Sequence, residues 1–405
     1  MRIALVNWSG RQTGGPEVYL HDIAPHLAAA GHDVAFLYET DEPAGRPSIA
    51  MPEGVARWHV GELGASGALS RLRSWNPDLI YVHGLLDTDL ETAITEVAPA
   101  VFFGHSYYGT CVSGNKTFTN VQVRPCSRRF GWQCLLHYHP HRCGGWSPVS
   151  MVREYRKQSR RLTTLARYGA IVTNSEHMRS EYIKHGFPPD AVHKLTYYVP
   201  GPAVSDTRPR WAPEPGGKWH LLFLGRMVFL KGGRTLVEAL PKIVPTGGRQ
   251  LAITFAGDGP ERSEWERRAG RAEQSTPDIE CRFTGWLSHE ALEDIVKDTH
   301  LLVVPSVWPE PFGQVGPEVG RRGIPAAAFN VGGIPEWLRE GVNGHLAPGN
   351  PPTAAGLATA IGRCIRNPDD YAKLVRGARQ VADRFNLERH LDELTALFHD
   401  VLERG

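Results

Sequence analysis

The chain has 405 residues, 41% hydrophobic and 22% charged, with a formal net charge of +2. That length exceeds what one hydrophobic core organises and predicts two α/β lobes of roughly 200 residues each. The near-neutral balance argues against nucleic acid as a partner, and no window approaches the ~20 apolar residues of a transmembrane helix.

The first segment reads strand, glycine loop, helix. Ile3-Ala4-Leu5-Val6 is a short apolar run suited to a strand buried on both faces. It meets Asn7, Trp8, Ser9 and Gly10 too soon to be a signal peptide, so the expectation is a cytoplasmic protein. Thr13-Gly14-Gly15-Pro16 follows, then a helix from about Glu17 to Ala30, stopped by Gly31. Further strands are predicted at Val34–Tyr38, Leu79–His83, Ala100–Phe103 and Ala170–Thr173. Strands alternating with helices predict a parallel sheet covered on both faces. A Pro/Gly-rich linker is expected from Pro200 to Gly217. The pattern then restarts with strands at Trp219–Leu224, Leu251–Ala256, Leu301–Val304 and Ile324–Phe329, a helix over Thr235–Val244, and a final helix from about Asn386 to Glu403. Ligands of such doubly wound sheets bind beyond the carboxyl ends of the strands.

Charge is uneven along the first lobe. Between Arg124 and Arg167 the chain carries Arg128, Arg129, Arg142, Arg153, Arg156, Lys157, Arg160 and Arg161 against a single acid, Glu154. Two readings stay open for the region 124–167: a solvated helix face, or a peripheral contact with anionic lipid at the inner membrane face or with an anionic acceptor.

The segment after the Leu301–Val304 strand, Pro305 to Glu318, is the richest in chemistry. Pro311 and Gly313 suit a sharp turn whose N–H groups meet an anion. Glu310 and Glu318 bracket that turn, and a carboxylate accepts from two neighbouring hydroxyls at once, as sugars and riboses present. Upstream, Arg226 offers a planar fork and Lys231 a compact charge, which together suit a diphosphate leaving group.

These residues resemble a known family. Glu310 and Glu318, with seven residues between them that include Pro311-Phe312-Gly313, look like the paired glutamates of family 4 retaining glycosyltransferases of the GT-B fold. Gly225-Arg226 with Lys231-Gly232, Gly257-Asp258-Gly259-Pro260, Phe283-Thr284-Gly285-Trp286, Gly332-Gly333-Ile334-Pro335-Glu336 and Gly341-Val342-Asn343-Gly344 resemble its donor-lobe segments, and Gly14-Gly15 its N-terminal loop. The resemblance implies two Rossmann-like lobes facing a central cleft. Residues 1–200 would form the acceptor side, 201–385 the donor side, and 386–405 a helix returning to the first lobe. It implies a hexose-type sugar moved with retention from a nucleotide diphosphate sugar, UDP-sugar first and GDP-mannose second, to a saccharide, lipid-linked or small-molecule acceptor. It implies donor binding by Gly14, Gly15, Arg226, Lys231, Gly257, Trp286, Glu310, Pro311, Phe312, Gly313, Gln314 and Glu318, with Arg226 and Lys231 in place of a catalytic metal. The family also places a histidine or acid beside the reacting sugar. His105, at the end of the Ala100–Phe103 strand, takes that role here, with His83 as a strand-end competitor. The alternatives are a non-catalytic nucleotide-sugar-binding subunit and a GT-B-fold nucleotide-sugar epimerase.

The cysteines depart from the simplest family members. Cys111, Cys126, Cys134 and Cys143 cluster in an insertion, 111–143, that also holds His137, His139 and His141. Paired C-x₂-C knuckles are absent, so a structural zinc held by the four thiolates and a set of free thiols both stay open.

Overall fold

The computed structural model describes residues 1–199, 212–214, 216–244 and 249–404. Most of the expected linker, 200–211 and 215, lies outside the described residues. In chain order the strands are β1 (Arg2–Ser9), β2 (Asp33–Thr40), β3 (Ala56–His59), β4 (Leu79–Val82), β5 (Ala100–Phe103), β6 (Thr117–Phe118), β7 (Arg124–Pro125), β8 (Ala170–Thr173), β9 (Val192–Lys194), β10 (Lys218–Leu224), β11 (Gln250–Ala256), β12 (Ile279–Gly285), β13 (Leu301–Val304), β14 (Ala326–Asn330) and β15 (Gly344–Pro348). The helices are α1 (Gly15–Ala29), α2 (Val60–Trp75), α3 (Thr88–Ile94), α4 (Gln133–Tyr138), α5 (Pro148–Leu165), α6 (Glu176–Lys184), α7 (Gly233–Ala239), α8 (Arg262–Ser275), α9 (His289–Asp298), α10 (Val315–Gly320), α11 (Ala354–Cys364), α12 (Pro368–Ala382) and α13 (Leu387–Arg404).

The chain divides into two compact units. One comprises Met1–Asn115, Arg128–Gly201 and Asn386–Gly405; the other comprises Lys116–Ser127 and Pro202–Phe385. The insertion 111–143 is therefore split, its hairpin β6–β7 grouping with the second unit.

The first unit is built on a seven-stranded sheet in the order β3-β2-β1-β4-β5-β8-β9, every pair parallel. Its middle strands are buried along their whole length, as apolar runs covered on both faces must be. α13 belongs to this unit. It starts where Asn386 accepts from the Arg389 N–H through its side chain, and it buries His390, Leu394, Leu397, Phe398 and Val401.

The second unit has a six-stranded parallel sheet in the order β12-β11-β10-β13-β14-β15. The strand order reverses between β10 and β13 here, and between β1 and β4 in the first unit. Each reversal opens a crevice at the carboxyl ends of the strands. One helix differs from its sequence expectation. The predicted Thr235–Val244 helix ends as α7 at Ala239 and tightens into a 3₁₀ turn over Leu240–Lys242, because Pro241 has no N–H to continue the ladder.

Candidate active site

The reversal point of the second unit gathers the residues that carry charge. After β10 the chain runs through Gly225 and Arg226 into a 3₁₀ turn, Phe229–Lys231. Gly232 follows with φ 72°, and a Cβ there would overlap the carbonyl oxygen of Pro305. Only glycine lets this turn lie against the segment leaving β13. The Val307 N–H donates to Leu230 O at 3.0 Å and seals that approach.

The contact brings two residues 79 positions apart together. Lys231 Nζ donates to Glu310 Oε1 at 2.6 Å, and Ser306 Oγ donates to the same oxygen at 2.6 Å. Glu310 is 4% exposed. A carboxylate so deeply buried persists only with a paired charge and satisfied hydrogen bonds. Both protein donors fall on Oε1, so among the described residues Oε2 accepts nothing from the protein.

The backbone around Glu310 is tightly held. Gly332, at φ 57°, lies against the Glu310 main chain, and the Gly333 N–H donates to Glu310 O at 2.6 Å. Trp337 Nε1 donates to Phe312 O at 2.7 Å, and the same indole packs beneath Gly313 and Gly316. Pro311 and Phe312 are buried, so the turn presents backbone rather than apolar side chains. Gln314 precedes α10, and its carbonyl accepts the Glu318 N–H at 3.2 Å; Glu318 is half-buried.

The remaining predicted residues of this unit line neighbouring strand ends. Arg226 is exposed. The Gly225 N–H reaches Ala256 O at 3.0 Å, the Met227 N–H reaches Asp258 O at 2.8 Å, and the Gly257 N–H reaches Gly285 O at 2.9 Å. Trp286, directly after β12, is 57% exposed.

In the first unit, Gly14 and Gly15 are exposed at the start of α1. The turn before them is anchored by buried Glu17, whose carboxylate accepts from Trp8 Nε1 at 2.9 Å and Thr13 Oγ1 at 2.8 Å. His105 lies just past β5 and His83 just past β4. The two candidates that competed at the sequence level are bonded to each other, His83 Nδ1 to His105 Nε2 at 2.8 Å. Around them pack Tyr19, Tyr81 and Phe103. Burial, and behind it His390, pushes the His105 imidazole down to about 3; burial, then His105, pushes His83 well below the usual range. Both rings are neutral at physiological pH.

Sequence reasoning passed over Ser306, Glu17 and His390. Ser306 had a signal, as a small polar residue at a strand's carboxyl end. His390 had none, since its place depends on α13 returning to the first unit.

Of the two readings left open for the four cysteines, the structure favours separate thiols. Among the described residues no group of three or more His, Cys, Asp or Glu is placed to hold a metal ion. Cys134 and Cys143 instead pack against a small core of Val112, Phe130 and Tyr138. The Cys111 thiol lies 3.6 Å from Ser113 Oγ. Cys126 closes the β6–β7 hairpin, its N–H donating to Lys116 O at 2.6 Å. Thiols half-buried among apolar side chains behave as small hydrophobes.

Among the described residues no helix is long and apolar enough to cross a membrane.

Comparison with known proteins agrees with this architecture. Residues 206–381 match the model of glycosyl transferases group 1, and residues 13–195 match that of glycosyltransferase family 4. The chain is 27% identical over 420 residues to a glycogen synthase of Mycobacterium tuberculosis, covering 94% of this chain and 90% of that protein. It is 28% identical to D-inositol 3-phosphate glycosyltransferase 1 of Catenulispora acidiphila, covering 98% and 93%. Anabaena HepE, solved in complex with UDP and glucose, superposes with a TM-score of 0.64 at 18% identity over 99% of this chain and 100% of that one. Two reversal-point crevices on Rossmann-like sheets, and family models that cover both units, make this chain a group 1 glycosyltransferase of family 4 with the GT-B fold.

Proposed function

We propose that the chain transfers a hexose-type sugar, with retention, from a nucleotide diphosphate sugar to a saccharide, lipid-linked or small-molecule acceptor. The observation that carries this reading is the Lys231–Glu310–Ser306 cluster at the reversal point of the second unit, with Glu310 Oε2 left to accept from sugar hydroxyls. Lys231 and exposed Arg226 supply positive charge for the diphosphate, so no divalent ion is required. Glu318 serves the ribose hydroxyls. The bond from the anomeric carbon to the phosphate oxygen breaks, and the acceptor oxygen bonds to that carbon on the same face. The acceptor proton passes to the departing phosphate oxygen, so no side chain is obliged to act as base. His105 donates a hydrogen bond to an oxygen of the reacting sugar. UDP-sugar is the favoured donor, supported by the UDP and glucose complex of the HepE neighbour, with GDP-mannose second.

A thermal-shift panel of UDP-, GDP- and ADP-sugars tests the donor. A ligand at 100 times its Kd raises stability by about 2.7 kcal/mol. Silence across the whole panel removes the donor assignment. Incubation without acceptor separates slow hydrolysis, the mark of a transferase, from epimerisation or inertness. NMR of the product anomer decides retention.

The basic region 124–167 is proposed as a peripheral membrane contact. Along α5, Arg153, Arg156 and Arg160 are exposed beside Val149, which is 77% exposed, and Trp146 just upstream is 69% exposed. Cations interleaved with exposed apolar groups suit an anionic lipid surface. Cosedimentation with phosphatidylglycerol vesicles, but not phosphatidylcholine vesicles, is the expected result.

A further inference from the structure

The His83–His105 pair contains information about proton placement. Of two neutral imidazoles joined by one hydrogen bond, one donates and one accepts. If His105 Nε2–H donated, His83 would carry its proton on Nε2. That atom is buried and has no hydrogen-bond partner, so the arrangement would bury an N–H with no acceptor. If His83 Nδ1–H donates, His83 Nε2 is only a bare lone pair. Orphaned buried N–H groups are the rarer and costlier of the two.

The nearby hydroxyls are already committed. The Thr196 carbonyl accepts from His390 Nδ1 at 2.7 Å, which leaves His390 Nε2 as an acceptor. Tyr19 O–H therefore donates to His390 Nε2, at 2.8 Å, and takes the Tyr81 O–H, at 3.0 Å. His105 is half-buried, and its Nδ1 makes no hydrogen bond to the described protein.

We infer that His83 is a positioning residue: its Nδ1–H donates to His105 Nε2 and holds His105 in the tautomer whose Nδ1–H is free to donate to a sugar oxygen. His105 is then a fixed neutral donor and not a general base. This role for His83 rests on the proposed assignment of His105 to the reacting sugar, whereas the tautomer itself does not. A donor of fixed polarity selects an acceptor oxygen at that point of the substrate, and it does so without reorganising as the anomeric centre gains positive charge.

The test combines NMR and kinetics on the full chain. Two-bond ¹H–¹⁵N spectra of ¹⁵N-histidine-labelled protein, with His105 assigned through His105→Gln, report which ring nitrogen carries the proton. The expected result is Nδ1–H on His105 in the wild type and in His83→Asn, whose amide nitrogen stands where Nδ1 stood. His83→Leu is expected to release His105 toward the Nε2–H tautomer that free imidazole side chains favour. With UDP-glucose as the probe donor, His83→Leu should lower kcat about tenfold with KM nearly unchanged, the pattern of a contact made mainly in the transition state, and His83→Asn should restore it. An Nε2–H tautomer at His105 in the wild type overturns the inference, whatever the activity. So does an unchanged tautomer in His83→Leu. If His83→Leu does not fold, the wild-type and His83→Asn spectra still decide. The Nδ1–H tautomer in a protein inert toward every nucleotide sugar would leave the tautomer assignment standing and defeat the proposed function instead, and with it the role of His83 toward the sugar.

Discussion

The two units place a crevice at the same topological point and furnish it in opposite ways. At the β10/β13 reversal the furnishing is ionic. Lys231 and Ser306 converge on one oxygen of Glu310, glycines draw the loops together, and Arg226 stands exposed. At the β1/β4 reversal it is neutral and aromatic. His83, His105, Tyr19, Tyr81 and His390 form a desolvated cluster in which burial depresses every imidazole. A diphosphate needs fixed positive charge, whereas a sugar ring needs directional uncharged hydrogen bonds, and a low-dielectric wall sharpens those bonds. One fold thus supplies two kinds of surface by changing only what stands at its strand ends.

The strongest way to break this comparison is to remove the ionic side. Lys231→Ala takes a cation from the diphosphate and strands buried Glu310, so transfer should fall by roughly 10²-fold or more, with circular dichroism unchanged. Arg226→Ala, at an exposed position with no side-chain partner among the described residues, should show a similar loss in rate and no loss in Tm. Near-wild-type turnover in both variants would reduce the ionic crevice to a surface feature.

A buried acid in the first unit sharpens the contrast. Glu91 is fully buried, with Tyr108 O–H donating at 2.5 Å and Tyr168 O–H at 3.0 Å. Burial lifts its carboxyl from the usual 4.5 to about 7. The folded chain thus keeps a proton that the unfolded chain has already released. Glu91's contribution to stability is fully present below about pH 4.5 and is lost as pH rises through about 7. The loss amounts to at most about 3 kcal/mol at 1.36 kcal/mol per pH unit. Glu91→Gln should flatten that part of the stability profile in urea titrations run between pH 5 and 8. An unchanged pH dependence would mean the carboxylate is ionised in the fold.

Smaller effects separate the two glutamates. Glu318→Gln should weaken binding of free UDP and of the donor alike, about tenfold and mainly in KM, because ribose hydroxyls are present in both. Glu310→Gln should spare UDP binding and lower kcat, because its contact matters where the sugar becomes cationic. Calorimetry with UDP and kinetics with UDP-glucose distinguish them. Equal loss of UDP affinity in both would reverse the division. The smallest expected effect is none: EDTA should leave the transfer rate unchanged, and loss of activity on chelation would mean that charge on Arg226 and Lys231 is not enough.

The linear sequence made much of this legible. Apolar runs of four to six residues located the buried parallel strands, since covered strands need no polar alternation. The spacing of Glu310 and Glu318 around Pro311-Phe312-Gly313, with Gly225-Arg226 and Lys231-Gly232 before it, carried the family resemblance, and the fold does bring Lys231 onto Glu310. Local signals of that kind survive because strand ends and turns are set by neighbouring residues. The cysteines show the opposite. Cys111, Cys126, Cys134 and Cys143 are close in sequence, and proximity left a shared metal and free thiols both open, yet the hairpin next to Cys126 groups with the other unit while Cys134 and Cys143 turn into a small apolar core.

What the sequence determined by itself was the alternation of strand and helix, the glycine turns, and the chemical types available at the strand ends. Only the tertiary structure decided which of them meet. Lys231 and Glu310 come together because β10 and β13 are neighbours in the sheet although three strand positions apart in the chain, and because Gly232 permits the close approach. His83 and His105 meet because β4 and β5 lie side by side, and His390 joins them only through α13. Strand order follows from how whole layers bury their apolar faces, a sum over the entire domain that no local window of residues contains.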